Sequence, residues 1–273
     1  MRDLCSTLRV SRSGYYAWLH REPPGNRHAV ILHAIKRVHR ESRYSYGSPR
    51  VFKALRNEQL NVSKSTVERL MRAHKLCGKK RRSFRKTTDS NHSLAIAENL
   101  VSRRFDRGAR NQVWLSDITY LRVKGGWAYL AAIIDGHTRK IVGFSVNDHM
   151  RVELVSDALS SAFFRERPAH GLLIHSDRGS QYASDTYRSL IKSFGMLQSM
   201  SRRRGCWDNA PMESFFDTLK TELIENRTFD DINEARSTVF EWIEVFYNRK
   251  RIHSALGYLS PACFEEKYLA LAA

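Results

Sequence analysis

Paired cysteines are missing from this 273-residue chain: Cys5, Cys77, Cys206 and Cys263 share no close spacing, which excludes a C-x-x-C zinc site and argues against a disulfide framework. Long hydrophobic runs are missing too. The longest uncharged apolar stretch, Gly125 to Ile134, falls well short of the ~20 residues a membrane helix needs, and Met1-Arg2-Asp3-Leu4-Cys5 carries no apolar core of a signal peptide. These absences predict a cytoplasmic protein with reduced thiols and no membrane partner. Negative charge is scarce in one part only. Through residue 110 there are 8 Asp and Glu against 26 Lys and Arg, which accounts for the whole net charge of +18, whereas from residue 111 onward the two classes balance at 20 each. A neutral body behind a basic arm reads as a catalytic part with a grip on a polyanion, because each phosphate neutralised by Lys or Arg releases counterions. Nucleic acid is the favoured partner; a ribosomal-style basic protein is the other reading of charge alone.

The length suits one catalytic domain with one or two small modules. Residues 1–20 suit two short helices around the turn Ser11-Arg12-Ser13-Gly14, closed by Pro23-Pro24-Gly25. Ile31, Ile35 and Val38 mark a helix over Arg27 to Glu41, and Val51, Phe52 and Leu55 mark another over Ser48 to Gln59, with Pro49 early in it. A third follows Asn61-Val62-Ser63. Its apolar stripe is Val67, Leu70 and Met71, Ser65 and Glu68 have capping-box spacing, and Lys64, Arg69 and Arg72 face outward. Helix, short turn and helix with a basic outer face is the layout of a helix-turn-helix or of an ordinary small bundle. Eight Lys and Arg then fall between Arg72 and Lys86, among them Lys79, Lys80, Arg81 and Arg82, and read as a flexible linker able to track a phosphate backbone. The expected division is a helical DNA-binding region at 1–76, a basic linker at 77–110, a catalytic core at 111–228 and a helical extension at 229–273.

In the core, β-rich runs at Val113 to Val123, Trp127 to Ile134 and Lys140 to Asn147 are joined by Gly125-Gly126 and Asp135-Gly136, which predicts an antiparallel meander. Helix Val152 to Phe164, strand Leu172 to His175, helix Ala183 to Phe194, a strand near Leu197 and helix Ala210 to Leu223 follow. Hairpin strands followed by alternating helix and strand predict an α/β fold with a mixed sheet and helices on its faces. Glu234 to Phe246 adds an amphipathic helix.

Three acids stand out in that frame: Asp117, Asp177 and Glu213, the last two with 35 residues between them. Asp117 shares a strand face with Leu115, Thr119 and Leu121, where a carboxylate needs a compensating partner. Asp177 follows Leu172-Leu173-Ile174, at the carboxyl end of a strand, where open α/β sheets place ligands. Glu213 lies in the first turns of its helix, where Asn209 can cap and Pro211 is tolerated. Bringing three carboxylates within about 5 Å costs roughly 3 kcal/mol per pair at an effective dielectric near 20. A divalent cation is the natural compensation, and oxygen ligands without His or Cys suit Mg²⁺ or Mn²⁺. Two such ions about 4 Å apart support in-line phosphoryl transfer. Lys220, two helical turns beyond Glu213, either holds a DNA end or pairs with Asp217. Arg178, Gly179, Gln181 and Arg202-Arg203-Arg204-Gly205 are candidates to shape a phosphate path, and Asp208 and Asn209 read as structural caps.

At Trp-Leu-Ser-Asp-Ile-Thr-Tyr-Leu (114–121), His-Ser-Asp-Arg-Gly-Ser-Gln-Tyr (175–182), Cys-Trp-Asp-Asn-Ala-Pro-Met-Glu-Ser-Phe-Phe (206–216) with Leu219-Lys220-Thr221-Glu222, and Phe-Tyr-Asn-Arg-Lys-Arg-Ile-His-Ser-Ala-Leu-Gly (246–257), the chain resembles the second-frame product of the IS-three family of bacterial insertion-sequence transposases, relatives of retroviral integrases. Ser13-Gly14-Tyr15-Tyr16-Ala17-Trp18, Tyr46-Gly47-Ser48-Pro49-Arg50 and Arg69-Leu70-Met71-Arg72 extend the likeness over nearly the whole length. The resemblance implies a ribonuclease-H-like core with a five-stranded mixed sheet. It also implies Mg²⁺ dependence, Asp117, Asp177 and Glu213 as metal-binding catalytic acids, Lys220 as a DNA contact, and cleavage at an element's end followed by attack of the 3′-hydroxyl on another phosphodiester. A homo-oligomer on terminal repeats and target DNA is expected, as is a fusion with an upstream frame. The zinc module of retroviral integrases is not expected, since His33 and His39 lack a following C-x-x-C, and Thr138 stands where Ser is usual. Two further readings stay open: a non-catalytic DNA-binding regulator or subunit of a fused transposase, and a structure-selective nuclease, against which the helical front end argues.

Overall fold

The computed structural model describes residues 5, 7–8, 10–20, 27–79, 94–203, 207–225 and 227–272. They fall into two units, Met1–Gly78 and Lys79–Ala273.

In the first unit only Ser11 of the expected turn Ser11-Arg12-Ser13-Gly14 stays outside the helix that follows. Its Oγ accepts from Gly14 N at 3.0 Å and opens α1, Arg12–Leu19, the usual service of a serine just outside a helix. Pro23-Pro24-Gly25 lies outside the described residues. Helices α2 (Arg27–Glu41), α3 (Ser48–Asn57) and α4 (Lys64–Ala73) follow, with Ile31, Ile35, Val38, Val51, Leu55, Val67, Leu70 and Met71 buried as their spacing predicts. The cap of α4 differs from expectation. Ser63, with extended backbone, accepts from Thr66 N at 3.1 Å, so Ser65 already lies inside the helix and Glu68 meets Lys64 one turn back, 3.6 Å away. His39 is a core residue, its Nε2 3.2 Å from the Cys77 carbonyl.

The second unit is built on five strands: β1 (Val113–Val123), β2 (Gly126–Asp135), β3 (Ile141–Asn147), β4 (Leu173–Ser176) and β5 (Leu197–Met200). Their order is β3-β2-β1-β4-β5, antiparallel through β3, β2 and β1 and parallel through β1, β4 and β5. Val123 pairs with Gly126, which leaves a two-residue loop in which Gly125 takes φ +84°, a conformation glycine adopts without steric cost. At the second turn the buried Asp135 accepts from Thr138 N and Oγ1 at 2.7 and 2.9 Å and from Asn111 N at 2.7 Å. Thr138 thus supplies the hydroxyl a serine would.

Alternation along the strands sends neighbours to opposite faces. Trp114, Ala131 and Ile133 pack with Leu154, Leu159, Tyr187 and Ile191, from α5 (Val152–Glu166) and the segment after β4. Leu115, Leu121, Leu130 and Ala132 pack with Met212, Phe215, Leu219, Val239, Trp242 and Phe246. The helix expected over Ala183 to Phe194 is α7 (Asp185–Ser193), opened by Ser184, whose backbone is extended and whose Oγ caps Tyr187 N, and a short helix α6 (Ser180–Ala183) precedes it. Helices α8 (Ala210–Leu219) and α9 (Ile232–Glu241) each run on into a π-helical segment, Lys220–Ile224 and Trp242–Tyr247. The last helix is α10, Pro261–Ala272. A five-stranded mixed sheet in this order with helices on both faces is the ribonuclease-H-like fold.

Residues 229–273 are built into this unit: Phe229, Trp242 and Tyr247 share the core of β1. Arg251 donates through Nε and Nη2 to the Glu222 carboxylate at 2.8–3.1 Å, both side chains almost wholly buried. That pair fastens the π-helical segment after α8 to the C-terminal segment.

Arg251→Met leaves Glu222 buried without its guanidinium and is expected to cost about 3–5 kcal/mol in urea unfolding, with Glu222→Gln added in the same chain recovering most of it. Gly143→Ala sets a methyl 2.4 Å from the Ala158 carbonyl and 2.6 Å from Ala162 Cβ. It is expected to lower stability by about 1–3 kcal/mol, read as a lower unfolding midpoint; an unchanged midpoint would show that β3 and α5 can move apart.

Candidate active site

Asp117 lies in the middle of β1, on the alternation of Leu115 and Leu121, and therefore on the face that α8 covers. Asp177 is the first residue beyond β4. The parallel register of β1 and β4 ends at Leu115 with His175; Asp117 lies two residues beyond that pair on β1, and Asp177 two residues beyond it, just past the end of β4. Both are half-buried. Oδ1 of Asp117 accepts from Ile118 N at 2.8 Å, and Oδ1 of Asp177 from Gly179 N at 2.9 Å, so backbone donors orient each carboxylate. Tyr182, buried, with its hydroxyl 3.0 Å from Ser116 Oγ, has its pKa held well above the ordinary value by burial and by the charges of Asp117, Tyr187 and Asp177. Both acids act on one hydroxyl.

Glu213 enters from α8. Asn209 stands in the cap position of that helix without capping it by its side chain. Its Nδ2 instead donates to the Ser116 carbonyl at 3.1 Å, and its own carbonyl accepts from Glu213 N at 3.1 Å. The amide that sequence spacing assigns to a cap is a tie between α8 and β1. Glu213 therefore begins one helical turn from the strand residue that precedes Asp117, and it is half-buried.

Asp208 is also more than a cap. Its buried carboxylate accepts from Arg202 Nε and Nη2, Arg202 N, Arg103 Nε and Asn99 Nδ2, at 2.8–3.0 Å. The Arg202 hydrogen bonds above all hold it well below the usual carboxylate range. A carboxylate so engaged is an anchor for α8, and it draws in the segment 94–110, part of the expected linker. Sequence reasoning missed that role, because the partners at 99 and 103 are more than a hundred residues away.

Lys220 follows α8, half-buried. Burial pushes its pKa down, and Asp217, the pairing partner expected for it, and Asp117 draw it back up. His175, fully buried between Ser199 Oγ at 2.9 Å and Ser201 Oγ at 3.2 Å, has its pKa pushed down to about 4 by burial. It is a neutral tie between β4 and the chain at and beyond β5, which nothing in the sequence distinguishes from a catalytic histidine.

The remaining candidates are dispersed. Lys64, Arg69 and Arg72 are exposed on α4, with Arg69 Nη2 3.4 Å from His28 Nε2. Lys79 Nζ donates to the Glu222 carbonyl at 2.9 Å. Lys80, Arg81 and Arg82 lie outside the described residues, as do Arg204 and Gly205. Arg178 Nε donates to the Ser201 carbonyl and Gln181 Nε2 to that of Met150, so with Arg202 on Asp208 these side chains brace loops. Among the described residues no group of three His, Cys, Asp or Glu side chains is gathered closely enough to hold a metal ion. The chemistry of the three acids, hard oxygen donors with neutral His175 turned to its serines, fits Mg²⁺ or Mn²⁺. No helix among the described residues is long and apolar enough to cross a membrane.

Two family models, both described as integrase core domain, match residues 107–206 and 195–261, and an HTH-like domain model matches residues 26–84. The chain is 43% identical over 272 residues to the insertion element IS600 uncharacterized 31 kDa protein of Shigella sonnei, covering 99% of this chain and 100% of the relative. It is 38% identical over 278 residues to the transposase InsF for insertion sequence IS3A of Escherichia coli (strain K12), covering 99% and 95%. Similar solved structures include a simian T-cell lymphotropic virus intasome in complex with PP2A regulatory subunit B56 gamma, with TM-score 0.48, 13% identity and coverage of 75% of this chain and 67% of that one. Another is the HTLV-2 integrase catalytic core domain in complex with magnesium, with TM-score 0.41, 15% identity and coverage of 55% and 94%. With such identity along its length and integrase-core matches from residue 107 to 261, the chain belongs to the IS3 family of insertion-sequence transposases, polynucleotidyl transferases with an integrase core and an HTH-like DNA-binding domain.

Proposed function

We propose that this transposase cleaves one strand at each end of its element and joins the exposed 3′-hydroxyl to a target phosphodiester, using Asp117, Asp177 and Glu213 as ligands of Mg²⁺ or Mn²⁺. The observation that supports the reading is the parallel register of β1 and β4, whose last pair, Leu115 with His175, stands two residues before each aspartate, with Asn209 tying the helix of Glu213 to the residue beside Asp117. A bound divalent cation supplies Lewis-acid stabilisation of the phosphoryl oxygens and lowers the pKa of the attacking water or hydroxyl. The chain's own part is orientation. Backbone donors on Oδ1 of Asp117 and Asp177 fix the two carboxylate planes, and Glu213 closes the set from the first turn of α8.

Lys220 binds a phosphate of the DNA end beside these acids; the burial that depresses its pKa strengthens that attraction, because little water screens it. Lys64, Arg69 and Arg72, exposed on one helix, engage the terminal repeat, and Lys79, Lys80, Arg81 and Arg82 track the backbone. The working species is an oligomer of the chain on DNA, joined with the product of an upstream frame as the family resemblance implies.

The test is a Mg²⁺-dependent strand-transfer assay on labelled duplexes carrying the element's own ends. Glu213→Gln is expected to lower joined product by at least about a hundredfold, with duplex affinity within about twofold of the parent. Equal product from the variant removes Glu213 from the mechanism. Specific binding by the parent without any joined product identifies a regulator or a subunit that needs its fusion partner.

A further inference from the structure

Apart from the three acids, the second unit holds an open cavity of about 690 Å³ lined by Arg103, Arg104, Phe105, Asp106, Arg107 and Arg139. Arg103 Nε donates to Asp208 and Arg107 Nη2 to the Leu100 carbonyl at 3.1 Å, and four arginines against the one carboxylate of Asp106 leave the lining cationic. That carboxylate is engaged: Asp106 Oδ1 accepts from Gly108 N at 2.8 Å and lies 2.8 Å from His137 Nδ1.

The cavity is built into the fold. Val101 is fully buried, Leu100 N donates to Ser199 Oγ at 2.9 Å, and Arg104 N donates to the Val101 carbonyl at 2.8 Å. Phe105 crosses so close to the β2–β3 turn that a Cβ on Gly136 would stand 2.1 Å from the Phe105 carbonyl oxygen. Position 136 must therefore be glycine for the arginine segment to lie where it does.

Two of the four arginines sit in left-handed backbone, Arg103 at φ 65° and Arg139 at φ 59°, as does Ser102 at φ 46°. Left-handed backbone is unfavourable for a residue with a side chain. Strain of this kind persists where the surroundings over-determine it, and it gathers at ligand sites. Here it falls on two arginines from different parts of the chain that line one cavity. Arg139 is half-buried, its pKa pushed down by burial, so its charge is poorly screened and strongly attractive to an anion.

We propose that this cavity is a phosphodiester-binding subsite that holds the backbone of duplex DNA on the catalytic unit. Guanidinium forks match phosphate oxygens two at a time, and a cavity of this size takes a stretch of backbone rather than a lone phosphate. Its position suits that ligand. Arg103 also donates to Asp208 at 3.0 Å, and Asp208 directly precedes the Asn209 tie to β1, so DNA held here is coupled by one short path to the start of α8. The assignment rests on the transposase reading.

The experiment measures anisotropy of a labelled duplex bound to the full chain across a sodium chloride series, for the parent, Arg104→Gln/Arg107→Gln, Arg104→Lys/Arg107→Lys and Glu213→Gln. Arg104 and Arg107 are exposed, so the substitutions leave the core alone; matching thermal unfolding of all four chains checks that. Loss of two phosphate contacts is expected to reduce the slope of log affinity against log salt by about two, with the lysine pair and Glu213→Gln keeping the parental slope. An unchanged slope in the glutamine pair overturns the subsite while leaving the transposase reading intact. A parent that shows no salt-dependent DNA binding overturns both.

Discussion

One hydrogen bond organises the face of the sheet that carries Asp117. The Asn209 amide on the Ser116 carbonyl joins the helix of Glu213 to the strand of Asp117. Without it α8 would rest on the sheet through Met212, Phe215 and Leu219, and apolar packing alone tolerates small slides that hydrogen-bond geometry does not. A carboxylate used in metal chemistry has to be placed within about half an ångström. The tie also explains why Asp208, its neighbour, is buried and saturated with donors from Arg202, Arg103 and Asn99: a charged anchor just ahead of the helix fixes its entry point.

The same constraint operates at the other end of α8. There the helix passes into a π-helical segment whose Glu222 is gripped by Arg251, and Lys220 opens that segment within the field of Asp117. The segment beyond residue 228, which sequence patterning separates as an extension, is thus part of what holds the catalytic helix. Positive charge in this unit is likewise placed by the fold. Arg139 sits in left-handed backbone, whereas Arg103 and Arg202 are committed to the buried Asp208 carboxylate and Arg178 to a carbonyl.

Much of this was legible in the residues. Strand alternation located β1 to its ends and put Asp117 on a core-like face, because a period of two across eleven residues has no helical counterpart. The mixed sheet followed from hairpin turns succeeded by crossovers. Local hydrogen bonding escaped: Ser63 rather than Ser65 caps α4, and Asn209 bridges instead of capping. Each error concerns a small polar side chain whose alternatives lie within a few residues and differ by about 1 kcal/mol, which spacing cannot rank. The basic linker misled in another way. Composition reads as a tether, yet Val101 is buried and Arg103 is bonded to Asp208, contacts that exist only once the chain has folded back on itself.

The central claim is that Asp117, Asp177 and Glu213 form one metal site. Iron-directed cleavage tests it most directly: Fe²⁺ in place of Mg²⁺, with ascorbate and peroxide, cuts backbone close to the bound ion. The account predicts fragments ending near residues 117, 177 and 213 together, all suppressed by excess Mg²⁺ and all lost in Asp117→Asn. Cuts near only one of the three, or cuts that persist in Asp117→Asn, would contradict it.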